Sequence, residues 1–215
     1  MTTFVLTCGG ASTPEPLQAL PGAAVGARPG KPEVDPPLSG VTRLIVVGGG
    51  DQPDADLAAV LTRLLRTERL HIELAYVAPR PTPATRVWSL ASGQEAALRA
   101  GREPAVSLPL VRDDAGQALV ARASLAGPAG AKITGESYVD SVLLFSGNVD
   151  QVLIEPTLDG LRAALPRRWR QRWVAGRAVQ TGSTGMALTR DGVTHDRVVN
   201  RSTFYRHTQD WLLVR

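Results

Sequence analysis

Apolar residues in the first hundred positions fall into continuous runs and helical stripes. From Val106 onward they fall into short segments separated by turn residues. Residues 4–7 read as a short first strand. Residues 9–40 are rich in Pro, Gly and Ala without periodicity, which predicts a long loop or a partly disordered segment. Arg43-Leu44-Ile45-Val46-Val47 is a continuous β-branched run and predicts a buried strand. Gly48-Gly49-Gly50 turns the chain, and Asp51 or Asp54 stands where a carboxylate caps the following helix. That helix, expected over residues 55–67, aligns Leu57, Val60, Leu61, Leu64 and Leu65 in one stripe. Residues 71–77 read as the next strand. Strand, glycine turn, helix and strand make one βαβ unit and so predict a parallel pair.

Residues 79–85 read as a proline-punctuated loop and 86–100 as a second helix. Strands are then expected at 106–112, 118–125, 137–145 and 151–155, and again at 178–181, 186–190, 197–203 and 209–214. Asp113-Asp114-Ala115-Gly116 and Asp191-Gly192 are turn sequences of the kind that close hairpins. The expected organisation is an α/β front with parallel strands, residues 1–104, followed by a β-rich, sandwich-like back, residues 105–215.

Composition narrows the class. The net charge is +4, but residues 161–190 hold seven arginines and no acidic residue, leaving −3 for the rest. The positive charge is therefore a patch. Only Lys31 and Lys132 stand against 22 arginines, a skew that codon bias explains as readily as phosphate binding. Cys8 is alone, so there is no internal disulfide and no cysteine metal cluster, which fits a reducing compartment. The N-terminus lacks the charged and apolar regions of a signal peptide, and no apolar run approaches the ~20 residues needed to span a bilayer. A cytoplasmic protein is expected.

Catalytic signatures are incomplete. Gly48-Gly49-Gly50-Asp51 lies between a strand and a helix, where backbone N–H groups meet anions. Gln52 and Pro53 break the dinucleotide-binding pattern, and no Walker lysine follows. A tight turn that uses glycine for positive φ explains the same residues. His71, His195 and His207 have no metal-ligand spacing, and no nucleophile elbow is present. The run Arg167-Arg168-Trp169-Arg170-Gln171-Arg172-Trp173 suits phosphates, an anionic membrane surface or nucleic acid. It suits equally a solvated arginine face with tryptophans anchored below. No specific nucleic-acid motif is present.

Three stretches together resemble the diacylglycerol kinase, sphingosine kinase and NAD kinase group. The first is residues 43–51, similar to the strand and glycine turn that carries Gly-Gly-Asp-Gly-Thr in that group. The second runs from Ala75-Tyr76-Val77-Ala78-Pro79 to Arg86-Val87-Trp88-Ser89-Leu90. The third comprises Gly176-Arg177-Ala178-Val179-Gln180, Asp191-Gly192-Val193 and Arg201-Ser202-Thr203-Phe204-Tyr205-Arg206-His207, with Gly135-Glu136. The resemblance implies an α/β nucleotide-binding front, a β-rich back and ligands held between them. It implies ligand contacts at Gly48, Gly49, Gly50, Thr82, Thr85, Arg167, Arg177 and Asp191. Asp51 would be general base and Mg²⁺ partner, with ATP and Mg²⁺ as cofactors if the kinase activity is kept.

The departures from the group are specific. Gln52-Pro53 follows Gly50-Asp51, and proline removes an N–H donor. Pro81-Thr82-Pro83-Ala84-Thr85 replaces a Gly-Thr-Gly-Asn-Asp loop. Val193 replaces the glutamate of an Asp-Gly-Glu turn, and the group's usual first strand with its Asn-Pro-x-x-Gly turn is missing or replaced by the Pro/Gly segment. Phosphoryl transfer needs several such parts at once. The leading expectation is a kinase-fold protein without kinase activity that binds a phosphate-bearing small molecule, nucleotide or lipid headgroup. The alternatives are an active atypical lipid or NAD kinase, and a structural or interaction protein whose Arg-Trp segment contacts a partner or an anionic surface; peripheral membrane contact and a homo-oligomer are among the expected partnerships.

Overall fold

The run Arg43-Leu44-Ile45-Val46-Val47, β-branched at its last three positions, forms a strand buried along its whole length. It sits inside a sheet that the rest of the front supplies. The structure is a computed structural model and describes residues 2–167 and 171–215. In chain order the first elements are β1 (Thr3–Cys8), β2 (Gly22–Val25), α1 (Lys31–Val34), β3 (Arg43–Val47), α2 (Pro53–Arg66), β4 (Glu73–Val77), α3 (Pro83–Trp88), α4 (Gly93–Ala100) and β5 (Ala105–Leu108). There follow β6 (Val111–Asp113), β7 (Ala118–Leu119), β8 (Ala123–Ala126), β9 (Ile133–Val139), β10 (Val142–Val149), β11 (Gln151–Thr157) and β12 (Gly160–Ala164). The last are β13 (Val174–Gly176), β14 (Ala178–Arg190), β15 (Val193–Thr194), β16 (Val199–Arg206) and β17 (Trp211–Val214).

The chain divides into two units, Met1–Leu108 with Gln209–Arg215, and Pro109–Thr208. In the first, six strands run in the order β2-β1-β3-β4-β17-β5. β3 pairs in parallel with both β1 and β4, as the βαβ pattern predicts. β17 is parallel to β4, and β5 is antiparallel to β17. Alternate residues of the central strands face opposite ways. Ile45, Val47, Ala75, Val77 and Val214 pack with Ala96, Ala97 and Ala100 of α4. Tyr76 faces the other way, toward α2, where its hydroxyl meets Asp54.

Three expectations change here. Residues 9–40 are not a structureless loop: β2 lies parallel to β1, and α1 follows it. Gly22 is needed in β2, because a Cβ there would stand 2.7 Å from the Val5 carbonyl oxygen. The helix expected at 86–100 is two helices. Ser89 adopts the left-handed conformation (φ 54°) and ends α3, while Gly93 (φ 61°) opens α4. α3 starts inside the expected proline loop, since Pro83 at the first helical position loses no bond the helix needs. Finally, residues 105–108 and 211–214 pair in the first sheet, so the expected boundary at 104 and a single back over 105–215 give way to a unit the chain leaves and re-enters. Trp211 of β17 is 1% exposed and stands edge-on to Trp88, with ring centroids 5.6 Å apart.

The second unit is antiparallel. Its sheet runs β13-β12-β11-β8-β14-β16-β6-β7, with β9 on β14 and β10 on β9. The segments expected at 178–181 and 186–190 are one long strand, β14. Its register against β16 shifts between Gly182 and Met186. The first half of β14 pairs with β9 and the second with β8. Aliphatic residues with Phe145 and Phe204 build the core, as scarce aromatics require. The start of the arginine-rich stretch 161–190, for which no strand was expected, lies in β12. Among the described residues, no helix is long and apolar enough to cross a membrane.

Candidate functional site

The glycine turn after β3 lies at the carboxyl ends of the parallel strands, where open α/β sheets bind ligands. Its geometry is set by the first turn of α2. Gly48 donates its N–H to the Val77 carbonyl at 3.0 Å. Gly49 donates to Asp56 Oδ2 at 3.0 Å, and the other oxygen of Asp56 accepts from the Arg28 N–H at 2.7 Å. The backbone donors of Gly48 and Gly49 are thus committed within the fold. A Cβ on Gly49 would stand 2.2 Å from the Cys8 carbonyl oxygen, and one on Gly48 would stand 2.8 Å from Pro53 Cβ. Gly50 is exposed and left-handed (φ 59°). Close packing accounts for the first two glycines and chain reversal for the third.

Asp51 is exposed, and among the described residues its carboxylate has no hydrogen-bond or ion-pair partner. It does not cap α2, whose N-cap is Gln52 and has no side-chain cap. Asp54, the other expected cap, is turned elsewhere: its oxygens accept from the Tyr76 hydroxyl at 2.8 Å and the Ala84 N–H at 3.0 Å. Thr82 and Thr85 flank that N–H. They bond reciprocally, Thr82 N–H to Thr85 Oγ1 at 2.8 Å and Thr85 N–H to Thr82 Oγ1 at 3.2 Å, as a capping box. Asp54 therefore ties the glycine turn to the proline loop, and the two threonines serve the start of α3.

Two acids carry this region that residue patterns did not single out for it: Asp54, read only as a cap, and Asp56. Both are buried. Burial pushes the Asp56 carboxyl above its ordinary range, while the Arg28 and Gly49 N–H groups pull the other way. Burial first, and then the charges of Asp56 and Glu33, push the Cys8 thiol up to about 12. The Tyr76 hydroxyl is raised by burial and by Asp54. The available signal was three acids within six residues after a glycine run, two of them on the buried side of an amphipathic helix.

In the second unit, Asp191 is 5% exposed and left-handed (φ 46°). Its carboxylate accepts from the Val120, Ala121 and Arg122 N–H groups at 3.2, 2.8 and 3.1 Å. Arg177 is exposed, and its backbone N–H donates to both oxygens of Asp140, at 3.1 and 3.0 Å. Arg167 is exposed, with its N–H on Gln171 Oε1 at 3.3 Å. Arg168, Trp169 and Arg170 lie outside the described residues. Trp173 is half-buried beneath Arg162, whose guanidinium stands 4.3 Å from the ring centre and also pairs with buried Glu155. Arg190 pairs with buried Asp113. The arginine patch is therefore partly structural.

The Asp191 geometry gives a direct expectation. Asp191→Ala leaves three backbone donors without their carboxylate, and stability falls by about 2–3 kcal/mol in urea unfolding. Asp191→Asn, which tolerates the left-handed turn and keeps an acceptor, loses less. A residue held only for ligand contact would leave stability unchanged on removal.

The fold, with a largely parallel sheet in one unit and an antiparallel sheet in the other, is similar to the folds of solved NAD kinase and diacylglycerol kinase structures. A diacylglycerol kinase from Bacillus anthracis str. Sterne is similar at a TM-score of 0.69 and 11% identity, over 99% of this chain and 96% of that one. An NAD kinase from Archaeoglobus fulgidus, solved in complex with ATP, is similar at 0.64 and 12% identity, over 99% and 93%. No protein-family model and no curated protein matches the sequence.

Proposed function

We propose that this chain is a kinase-fold protein that binds a phosphate-bearing small molecule, a nucleotide or a lipid headgroup, without transferring the phosphoryl group. The observation that carries this reading is the Gly49 N–H held by buried Asp56. Phosphoryl transfer depends on several donors and charges acting together on the phosphates. Here one glycine donor is occupied by a carboxylate, Pro53 has none, and two buried acids stand in the first turn of α2. That turn does not fit a triphosphate with its metal in a transferring pose. What is left for an anion is the exposed stretch Gly50-Asp51-Gln52. That the Archaeoglobus NAD kinase was solved with ATP supports a phosphate-bearing ligand of this size.

Thermal unfolding with ATP and Mg²⁺, NAD, glycerol 3-phosphate or inorganic phosphate, alongside an assay for labelled phosphate transfer, tests the reading. A ligand at a hundredfold excess over Kd adds about 2.7 kcal/mol, a rise of about 5–10 °C for a chain of this size. The expected result is such a rise without turnover. Turnover that disappears in Asp51→Asn would establish an active kinase with Asp51 at its centre. No rise with any of the four would leave the interaction reading in its place.

A further inference from the structure

Arg43, Arg63 and Arg190 are shielded from water, and each holds a carboxylate, of Glu73, Asp35 and Asp113. Arg112, the central residue of β6, holds none. It is half-buried, and among the described residues no hydrogen bond or ion pair reaches its guanidinium. Its Nε is buried without a partner, while its terminal nitrogens are open to solvent. Asp113 faces the other side of the strand and is taken by Arg190. Asp114 shares the face of Arg112 but is exposed and makes no ion pair with it. Arg112 stands opposite Tyr205 of β16, its guanidinium carbon 4.9 Å from the ring centre. His207 lies diagonally across from Arg112 on the same face, and its N–H bonds the Leu110 carbonyl at 2.7 Å. Burial first, and then the Arg112 charge, hold the His207 imidazole below the ordinary histidine range. Neither the Tyr205 hydroxyl nor the His207 ring has a hydrogen-bond partner among the described residues, whereas the His195 ring accepts from the Arg197 N–H at 3.1 Å.

We propose that Arg112, Tyr205 and His207 form a second anion site, separate from the glycine turn, which takes the terminal phosphate of a phosphate monoester. A half-buried guanidinium without a counter-charge costs stability, and an anion drawn from solution offsets that cost. Stacking on the Tyr205 ring holds the guanidinium plane in place, so little freedom is lost when an anion binds. The choice among anions follows from the number of donors. A carboxylate has two oxygens, which one guanidinium satisfies by itself. A phosphate monoester has three terminal oxygens, and here a guanidinium, a hydroxyl and an imidazole share one face of β6 and β16 to meet them. All three side chains belong to the β-rich unit, so the site needs nothing from the glycine turn.

NMR of the histidine rings during titration with glycerol 3-phosphate, at constant ionic strength, tests the site. The expected result is a saturable shift of the His207 signals while those of His71 and His195 stay in place. The glycine turn contains no histidine, so this readout is independent of whether that turn binds a ligand. Arg112→Met keeps the packing on Tyr205 and is expected to raise the dissociation constant at least about tenfold, the loss of a charge-assisted hydrogen bond. Tyr205→Phe keeps the ring and is expected to raise it about two- to tenfold. Vesicles of phosphatidylcholine with phosphatidic acid separate the two sources of the phosphate. Co-sedimentation that Arg112→Met abolishes puts the phosphate on a lipid, and binding of glycerol 3-phosphate alone puts it on a soluble molecule; either supports the site. A His207 signal that neither probe moves overturns the proposal. So does a shift that Arg112→Met leaves at full affinity. If circular dichroism shows Arg112→Met misfolded, Tyr205→Phe decides the matter, and wild-type affinity in that variant overturns the site.

Discussion

Gly49→Ala is expected to lose about 4 kcal/mol of stability or more, enough to leave much of the chain unfolded at 37 °C. The added Cβ would lie 2.2 Å from the Cys8 carbonyl oxygen, 3.0 Å from the Ala11 nitrogen and 3.0 Å from the Gly9 oxygen. All three are backbone atoms of the turn that ends β1, so no side-chain rotation relieves the contact. The turns after β1 and β3 would have to part, taking with them the Asp56 bond to the Gly49 N–H. Neighbouring glycines calibrate the effect. Gly48→Ala meets Pro53 Cβ at 2.8 Å and the Tyr76 ring at 3.1 Å, side-chain atoms among them, and costs less. At Gly50 there is room, and the cost is the left-handed backbone alone, about 1–2 kcal/mol. Urea unfolding of the three alanine variants should rank them 49, 48, 50. A near-neutral Gly49→Ala would show that the two turns do not pack as described.

Arg43→Ala comes next, with an expected loss of about 3 kcal/mol. Arg43 opens β3 and is 3% exposed. Its Nε donates to Glu73 at 2.7 Å, and its terminal nitrogens reach the Ala100 and Glu103 carbonyls at 3.0 and 2.9 Å. It thus joins the starts of β3 and β4 to the end of α4 and the segment after it, and its removal leaves a carboxylate and the Ala100 and Glu103 carbonyls unmatched. Glu73 is about a quarter exposed, so water recovers part of its loss. Arg43→Lys restores charge without the planar fork and should recover less than half. Tm and urea midpoint measure both variants. Equal stability of Arg43→Ala and wild type would sink this account of the helix end.

The fold was legible in the sequence where side-chain chemistry is local. Residues 44–47 are an example: a continuous aliphatic run flanked by a glycine turn and an amphipathic stripe leaves few alternatives to strand, turn and helix, and β3, α2 and β4 follow. The acids after that turn show the opposite case. Asp51 and Asp54 look alike as capping candidates and Asp56 drew no reading, yet the first is exposed, the second holds Tyr76 and Ala84, and Asp56 bridges Gly49 and Arg28. Their partners are up to 30 residues away, and no spacing rule encodes that. Asp191 is similar. Its turn was legible from Asp-Gly, but the three N–H groups it holds lie about 70 residues earlier.

Periodicity and turn chemistry by themselves settled the α/β beginning, the parallel β3–β4 pair and the β-rich continuation, because those depend on neighbours within a few residues. Tertiary structure alone decided that Gly22–Val25 adds a strand beside β1, that Trp211–Val214 leaves the β-rich unit to pair with β4, and which acid meets which donor. A short apolar segment such as Trp-Leu-Leu-Val can satisfy its backbone in any sheet with an open edge or gap. The choice falls to the place that also buries its side chains, here beside Trp88, and that place exists only once the rest of the chain has folded.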